Sequence, residues 1–214
     1  MIQYKMHDFT SKEILEATRI QIRELPTGFL SSLGEKPLSL IFQHAAESKF
    51  GILIMAKHGD KVVGYVMGTL DTGKFYKEFL RKRLLVAIRY FLPRILSLQR
   101  ARKALETLLY PSKHSHRGVY TKTELLDLAV MREYQGQGIA SQLFRLLVKE
   151  FHANNVRCFQ IPTSEGLDRA HRFYEKMGAH RVSTLEVHKG ERTFVYLYEI
   201  SEGECHERTT SRKA

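Results

Sequence analysis

Tryptophan is absent from this chain of 214 residues, and cysteine occurs only at Cys158 and Cys205. Two cysteines cannot build the disulfide framework of a small secreted domain, and Cys158 sits in a strand-like apolar run while Cys205 lies in a polar tail. A reducing, cytoplasmic setting is the expectation. Long apolar runs are missing too: the densest, Ile52 to Ala56 and Leu84 to Ile88, stop at Lys57 and Arg89, far short of a bilayer span. Met1 to Asp8 lack the basic region and apolar stretch of a secretory signal, so neither export nor integration into a membrane is expected. No stretch rich in Gly, Pro or Ser divides the chain and no internal repeat is visible, which predicts one domain over 1–200 and a polar tail over 201–214. Metal-binding patterns are wanting as well. The ten histidines include no His-x-x-x-His helix and no companion cysteine pair, so no metal is expected.

Acidic residues are outnumbered, 23 against 34 basic ones, giving a net charge of +11. Such an excess suits an anionic partner without choosing among nucleic acid, lipid and phosphorylated ligands. It is regional. Between Lys74 and Lys103 there are 10 basic residues and one acid, Glu78. The cations alternate there with Phe, Leu and Ile at helical periods, which suits an apolar face on the domain and a solvated basic one, and makes contact with an anionic surface a candidate role. Nucleic-acid binding is not expected, because no reading module or aromatic stacking platform accompanies the charge.

What is present reads as alternating strands and helices. Ile2 to His7 suits a first strand, and Thr10-Ser-Lys-Glu13 predicts a capped helix running to about Leu25. Pro37 to Ser48 predicts a second helix, while Gly51–Ala56 and Val62–Leu70 predict a hairpin turning at His58 to Lys61. Helical periodicity interrupted by Pro93 marks 73–118 as an inserted basic segment. Then come a strand from Thr123 to Val130, a Gly-rich turn, and a helix from about Gly138 to Asn154. A strand over Val156–Ile161, a helix over Leu167–Met177 closed by Gly178, and a last hairpin of Arg181–Val187 with Thr193–Ile200, turning at Lys189-Gly190, complete the pattern.

The informative turn is Gln135-Gly136-Gln137-Gly138-Ile139-Ala140-Ser141. A strand feeding glycines that open a helix frees backbone N–H groups, and the positive end of the helix dipole points at the same spot. Gly136 and Gly138 let a phosphate approach with no Cβ in the way. A short Gly motif is weak evidence alone, and this one lacks both the Gly-Lys-Ser/Thr of a P-loop and the third Gly of a dinucleotide fingerprint.

The hexad from Gln135 to Ala140 resembles the Gln/Arg-x-x-Gly-x-Gly/Ala signature of the GNAT superfamily of N-acetyltransferases, and Ala170-His-Arg-Phe173-Tyr174-Glu175-Lys176-Met-Gly178 resembles its second signature. Two signatures in order on the expected elements are far more specific than either alone. The resemblance implies an α/β fold: a mixed sheet of about seven strands, helices on both faces, and a V-shaped gap between the fourth and fifth strands. It implies acetyl-CoA as co-substrate, with Leu128, Ala129 and Val130 along the pantetheine arm and the amides from Gln135 to Ser141 under the pyrophosphate. The activity implied is direct transfer of the acetyl group to a primary amine, and the alternative is a module of the same fold that binds CoA without turnover.

Direct attack requires a deprotonated amine, a donor for the oxyanion and a proton for the departing thiolate. The resemblance gives the last role to Tyr174, although an aromatic pair such as Phe173 and Tyr174 also suits a core. It gives the base role to Glu124. Strict alternation puts Glu124 with Leu126, Leu128 and Val130, and Asp127 with Leu125 and Ala129 on the other face; either acid could face the cleft. Family branches acting on protein N-termini carry a Glu on the fifth strand and an Asn before the tyrosine helix. Here those places read Pro162 and Leu167, leaving Ser164 or Asp168 as stand-ins for the Asn contact to CoA. The acceptor is left open among amino sugars, polyamines, small amines and proteins, its site shaped by Leu25–Gly34, Thr72–Arg117 and Ser183–Thr193. Assembly as a homodimer is left open too.

Overall fold

Thr10 caps its helix as the Thr-x-x-Glu spacing predicts. Its hydroxyl accepts from the Glu13 N–H at 3.2 Å, and the Glu13 carboxylate accepts from the Thr10 N–H at 2.8 Å. That carboxylate also takes Lys5 at 2.7 Å and Lys57 at 2.6 Å, so one buried acid ties the helix to two strands. Burial opposes its ionisation, yet the two lysines and Thr10 hold it down at about 2.

The computed structural model describes residues 1–26, 31, 34–91, 121–188 and 191–200. Its elements in chain order are β1 (Ile2–Lys5), α1 (Ser11–Glu24), α2 (Glu35–Glu47), β2 (Gly51–His58), β3 (Lys61–Thr69), α3 (Thr72–Phe91), β4 (Glu124–Val130), α4 (Ile139–Ala153), β5 (Cys158–Ser164), α5 (Asp168–Lys176), β6 (His180–His188) and β7 (Glu191–Glu199). The strands form one seven-stranded sheet in the order β1-β2-β3-β4-β5-β7-β6. All neighbours are antiparallel except β4 and β5. The basic stretch beyond Phe91, the hairpin turn at Lys189-Gly190 and the tail from Ser201 lie outside the described residues.

Each face of the sheet has its cover. On one, Phe42 of α2 meets the Tyr65 ring edge-on at 4.9 Å, and α1 packs beside α2. On the other, α4 lies so close to β3 that a Cβ at Gly68 would stand 2.8 Å from Leu147 and Phe151, which is why glycine occupies that place. α5 continues this layer, with Phe173 and Tyr174 around Phe144. α3 packs on α2: the buried His44 ring bonds the Phe75 carbonyl at 3.0 Å, lies tilted against the Phe75 ring and meets Phe79 edge-on.

Two expectations need correcting. The fifth strand runs Cys158–Ser164, not Val156–Ile161, and carries Pro162 inside it. On its β4 side the Gln160 N–H donates to Thr123 O at 3.0 Å, and the next rung of a parallel ladder would be an N–H from residue 162. Proline has none, so Pro162 is tolerated where β4 is leaving. Cys158, in turn, carries no free thiol, so the expectation of reduced cysteines does not hold there.

Candidate active site

Three contacts hold the turn after β4 in place. Arg23 of α1 reaches Glu133 at 2.8 Å, the Arg132 N–H donates to Glu24 at 3.2 Å, and the Tyr134 hydroxyl meets His58 at 3.1 Å. Gly136 and Gly138 then adopt φ of +79°, the left-handed region that glycine enters without penalty, and Gly138 is the N-cap of α4. A Cβ at either glycine would meet nothing within 4 Å, so the space before them is open. The backbone N–H groups from Gly136 to Ser141 find no acceptor among the described residues. Unpaired amides at the start of a helix of 15 residues suit a phosphate.

Gln135 does something different from its neighbours. Its N–H is taken up by Arg132 O at 3.3 Å, while its side chain donates to Val130 O at 2.9 Å and accepts from Arg169 of α5 at 3.3 Å. It therefore clamps the strand end to the loop and to α5. Ser164, at the C-terminal end of β5, is exposed; its carbonyl receives His171 at 3.1 Å and its hydroxyl makes no bond among the described residues.

β4 and β5 pair at a single position, Glu124 with Gln160, and diverge beyond it. The Met131 N–H bonds Val63 O at 2.9 Å on the β3 side, so the alternation of an antiparallel ladder turns the backbone of Leu128 and Val130 toward the gap and that of Ala129 toward β3. An open strand edge thus leads from the Gly-rich turn inward to Glu124.

A β-bulge rearranges the acids. Thr69 opposes Glu124 and Gly68 opposes Leu125, but Met67 opposes Asp127, leaving Leu126 as the extra residue. Strict alternation therefore fails. Glu124, Asp127 and Ala129 share the face of Thr69, Met67 and Tyr65, while Leu125, Leu128 and Val130 face α4. One inserted residue brings two carboxylates together that the sequence pattern separates.

Glu124 is buried and Asp127 half-buried, and no ion pair among the described residues reaches either of them. Glu124, 9% exposed, accepts from Gln160 at 3.0 Å and lies beside the Thr72 hydroxyl, which itself donates to Lys122 O at 3.1 Å; burial outweighs both neighbours and pushes it up to about 7. Asp127 accepts from the Tyr65 hydroxyl at 2.9 Å; burial again dominates and lifts it to about 7. Tyr76 of α3 feels both acids, its phenol raised by burial and then by Glu124 and Asp127.

Tyr174 serves both of its expected readings. Its ring, 7% exposed, packs among Phe144, Phe173 and Tyr196, while its hydroxyl has no hydrogen-bond partner among the described residues. Burial and then Asp127 raise its pKa, and Tyr174 in turn acts on Tyr65. Tyr65, Tyr76, Thr72, Gln160 and Arg169 went unmarked in the sequence because a tyrosine in an apolar strand or a threonine opening a helix carries no signal of its own. Among the described residues no group of three His, Cys, Asp or Glu could hold a metal, and no helix is long and apolar enough to cross a membrane.

The profile of the Acetyltransferase (GNAT) family matches residues 18–179. No curated protein matches the sequence. Among solved structures, an aminoglycoside 6'-N-acetyltransferase complexed with coenzyme A superposes with a TM-score of 0.61 at 12% identity, covering 94% of this chain and 99% of that one. Arabidopsis thaliana NAA60 in complex with acetyl-CoA gives 0.58 at 16% identity, over 94% of this chain and 99% of that one. The ribosomal-protein-S18-alanine N-acetyltransferase of Escherichia coli gives 0.53 at 12% identity, over 99% and 100%. At these identities the likeness shows a shared fold.

Proposed function

The chain belongs to the GNAT acetyltransferase family, and on that premise we propose that it transfers the acetyl group of acetyl-CoA directly to the primary amine of an acceptor. The observation that carries this reading is the continuous track from unpaired helix-start amides, along the open edge of β4, to an unpartnered phenol and two proton-hungry carboxylates at its inner end. Gly136 to Ser141 would take the pyrophosphate and the Leu128 and Val130 backbone the pantetheine amides. Ser164 would serve as a peripheral contact and Gln135 as the clamp that keeps the track open.

The acetyl-CoA then lies with its thioester near the bulge. Of the two acids we assign the base to Asp127, because it shares electrostatic contact with Tyr174; Glu124, the base that the family resemblance names, is the alternative. A carboxyl near 7 is matched to taking a proton at neutral pH. The carboxylate takes one proton from the ammonium, and the neutral nitrogen adds to the thioester carbon. The C–S bond breaks, the thiolate takes the Tyr174 proton, and the second proton of the new amide nitrogen restores the phenol. The carboxyl finally releases its proton to water, so the net products are amide, free CoA and one proton.

Release of free thiol from acetyl-CoA across a panel of amines, beside calorimetry with CoA, tests the proposal. Turnover with any amine supports it. Binding of CoA with no turnover on any acceptor leaves the non-catalytic CoA-binding module, and absence of binding sinks both.

A further inference from the structure

The proposed transfer needs one carboxylate, and the cleft holds two. Glu124 and Asp127 occupy successive places on one sheet face, opposite Thr69 and Met67, so their backbones stand roughly 7 Å apart. Among the described residues neither pairs with a lysine, arginine or histidine. The contrast with the rest of the fold is instructive: Glu13, equally buried, is flanked by Lys5 and Lys57, and Glu78 by Lys82. In a chain of net charge +11, a buried acid left without a cation is conspicuous. Among the described residues the side-chain donors to this pair are neutral, Gln160 at Glu124 and Tyr65 at Asp127. Tyr174, more than nine-tenths buried, feels Asp127 and has a hydroxyl without a hydrogen-bond partner among the described residues.

We infer that the acceptor is a small diamine or polyamine, one nitrogen presented to Asp127 and Tyr174 for acetylation while a second, still cationic nitrogen pairs with Glu124. This rests on the acetyl-transfer reading and narrows its substrate class. Charge is what selects. A ligand with two cations spaced like the two acids compensates both, whereas a monoamine of equal length leaves Glu124 either protonated or buried as an unpaired charge. An aromatic neighbour also suits an aliphatic spacer, since Tyr76 lies within electrostatic reach of both acids.

The test compares putrescine with butylamine. Wild-type protein with acetyl-CoA should show kcat/KM at least tenfold higher for putrescine, and Glu124→Gln should collapse that ratio toward one, the loss falling more heavily on putrescine than on butylamine. Asp127→Asn should depress both alike. Calorimetry of each amine on protein saturated with CoA gives the same comparison without turnover. It therefore decides the matter even if acetyl transfer fails or the Glu124 variant does not fold. Equal kcat/KM or equal affinity for the two amines overturns the inference while leaving acetyl transfer standing. An unchanged ratio in a folded Glu124→Gln protein overturns it too.

Discussion

Replacing Glu124 by glutamine should make the folded protein more stable above neutral pH while it harms function. The glutamine Oε1 keeps the Gln160 donor and its Nε2 can turn to the Thr72 oxygen, so the shape and hydrogen bonds of the site survive and only the charge is lost. A carboxyl raised from 4.5 to about 7 holds its proton in the folded chain at pH values where the unfolded chain has lost it. Its contribution is fully present below 4.5, declines as pH rises through 7, and is flat beyond. At roughly 1.4 kcal/mol per pH unit, the rise from 4.5 to about 7 comes to about 3 kcal/mol of stability absent at alkaline pH. Glutamine cannot ionise and escapes this loss. Urea unfolding followed by circular dichroism should therefore find variant and wild type nearly equal near pH 4, and the variant ahead by up to about 3 kcal/mol near pH 8. A difference independent of pH, or a variant weaker at pH 8 than at pH 4, would refute the argument that desolvation governs this acid.

Further outcomes follow from the same geometry. Tyr174→Phe removes a hydroxyl that makes no hydrogen bond among the described residues, so kcat should fall by about 10²-fold or more with thermal stability and CoA affinity kept; unchanged kcat removes it from the chemistry. Gly138→Val puts a branched side chain at φ +79°, which should weaken CoA binding in calorimetry by at least about tenfold; unchanged affinity would clear the turn of phosphate contact. The kcat/KM profile should climb with pH up to about 7 and then level, as Asp127 ionises, and a profile flat from 5 to 8 would exclude it as base. Thr10→Ala should cost about 1 kcal/mol of stability, read by urea unfolding, with acetyl transfer unaffected.

The elements were legible where local chemistry decides them. Thr10 and Glu13 announced a helix start, Gly138 opened a helix and Gly178 closed one at φ +98°, because caps and left-handed turns are properties of a few adjacent residues. Site geometry was less legible, because it depends on pairing across the sheet. Period-two reading put Glu124 and Asp127 on opposite faces; the extra residue Leu126 becomes visible only once β3 supplies the opposing register. Pro162 misled in the same way. It reads as the end of a strand, and only the Gln160 rung to Thr123 shows that its missing donor faces an edge with nothing to receive it.

That proline bears on how the protein meets its co-substrate. Since residue 162 has no hydrogen to offer, the two central strands cannot zip together while the cleft waits, and nothing must be torn open for a ligand to enter. A pantetheine arm would then bond to amides that until that moment faced water. Hydrogen exchange at Leu128 and Val130 should accordingly be fast in the free protein and slow once coenzyme A is added, with Ala129, already bonded across to β3, protected throughout.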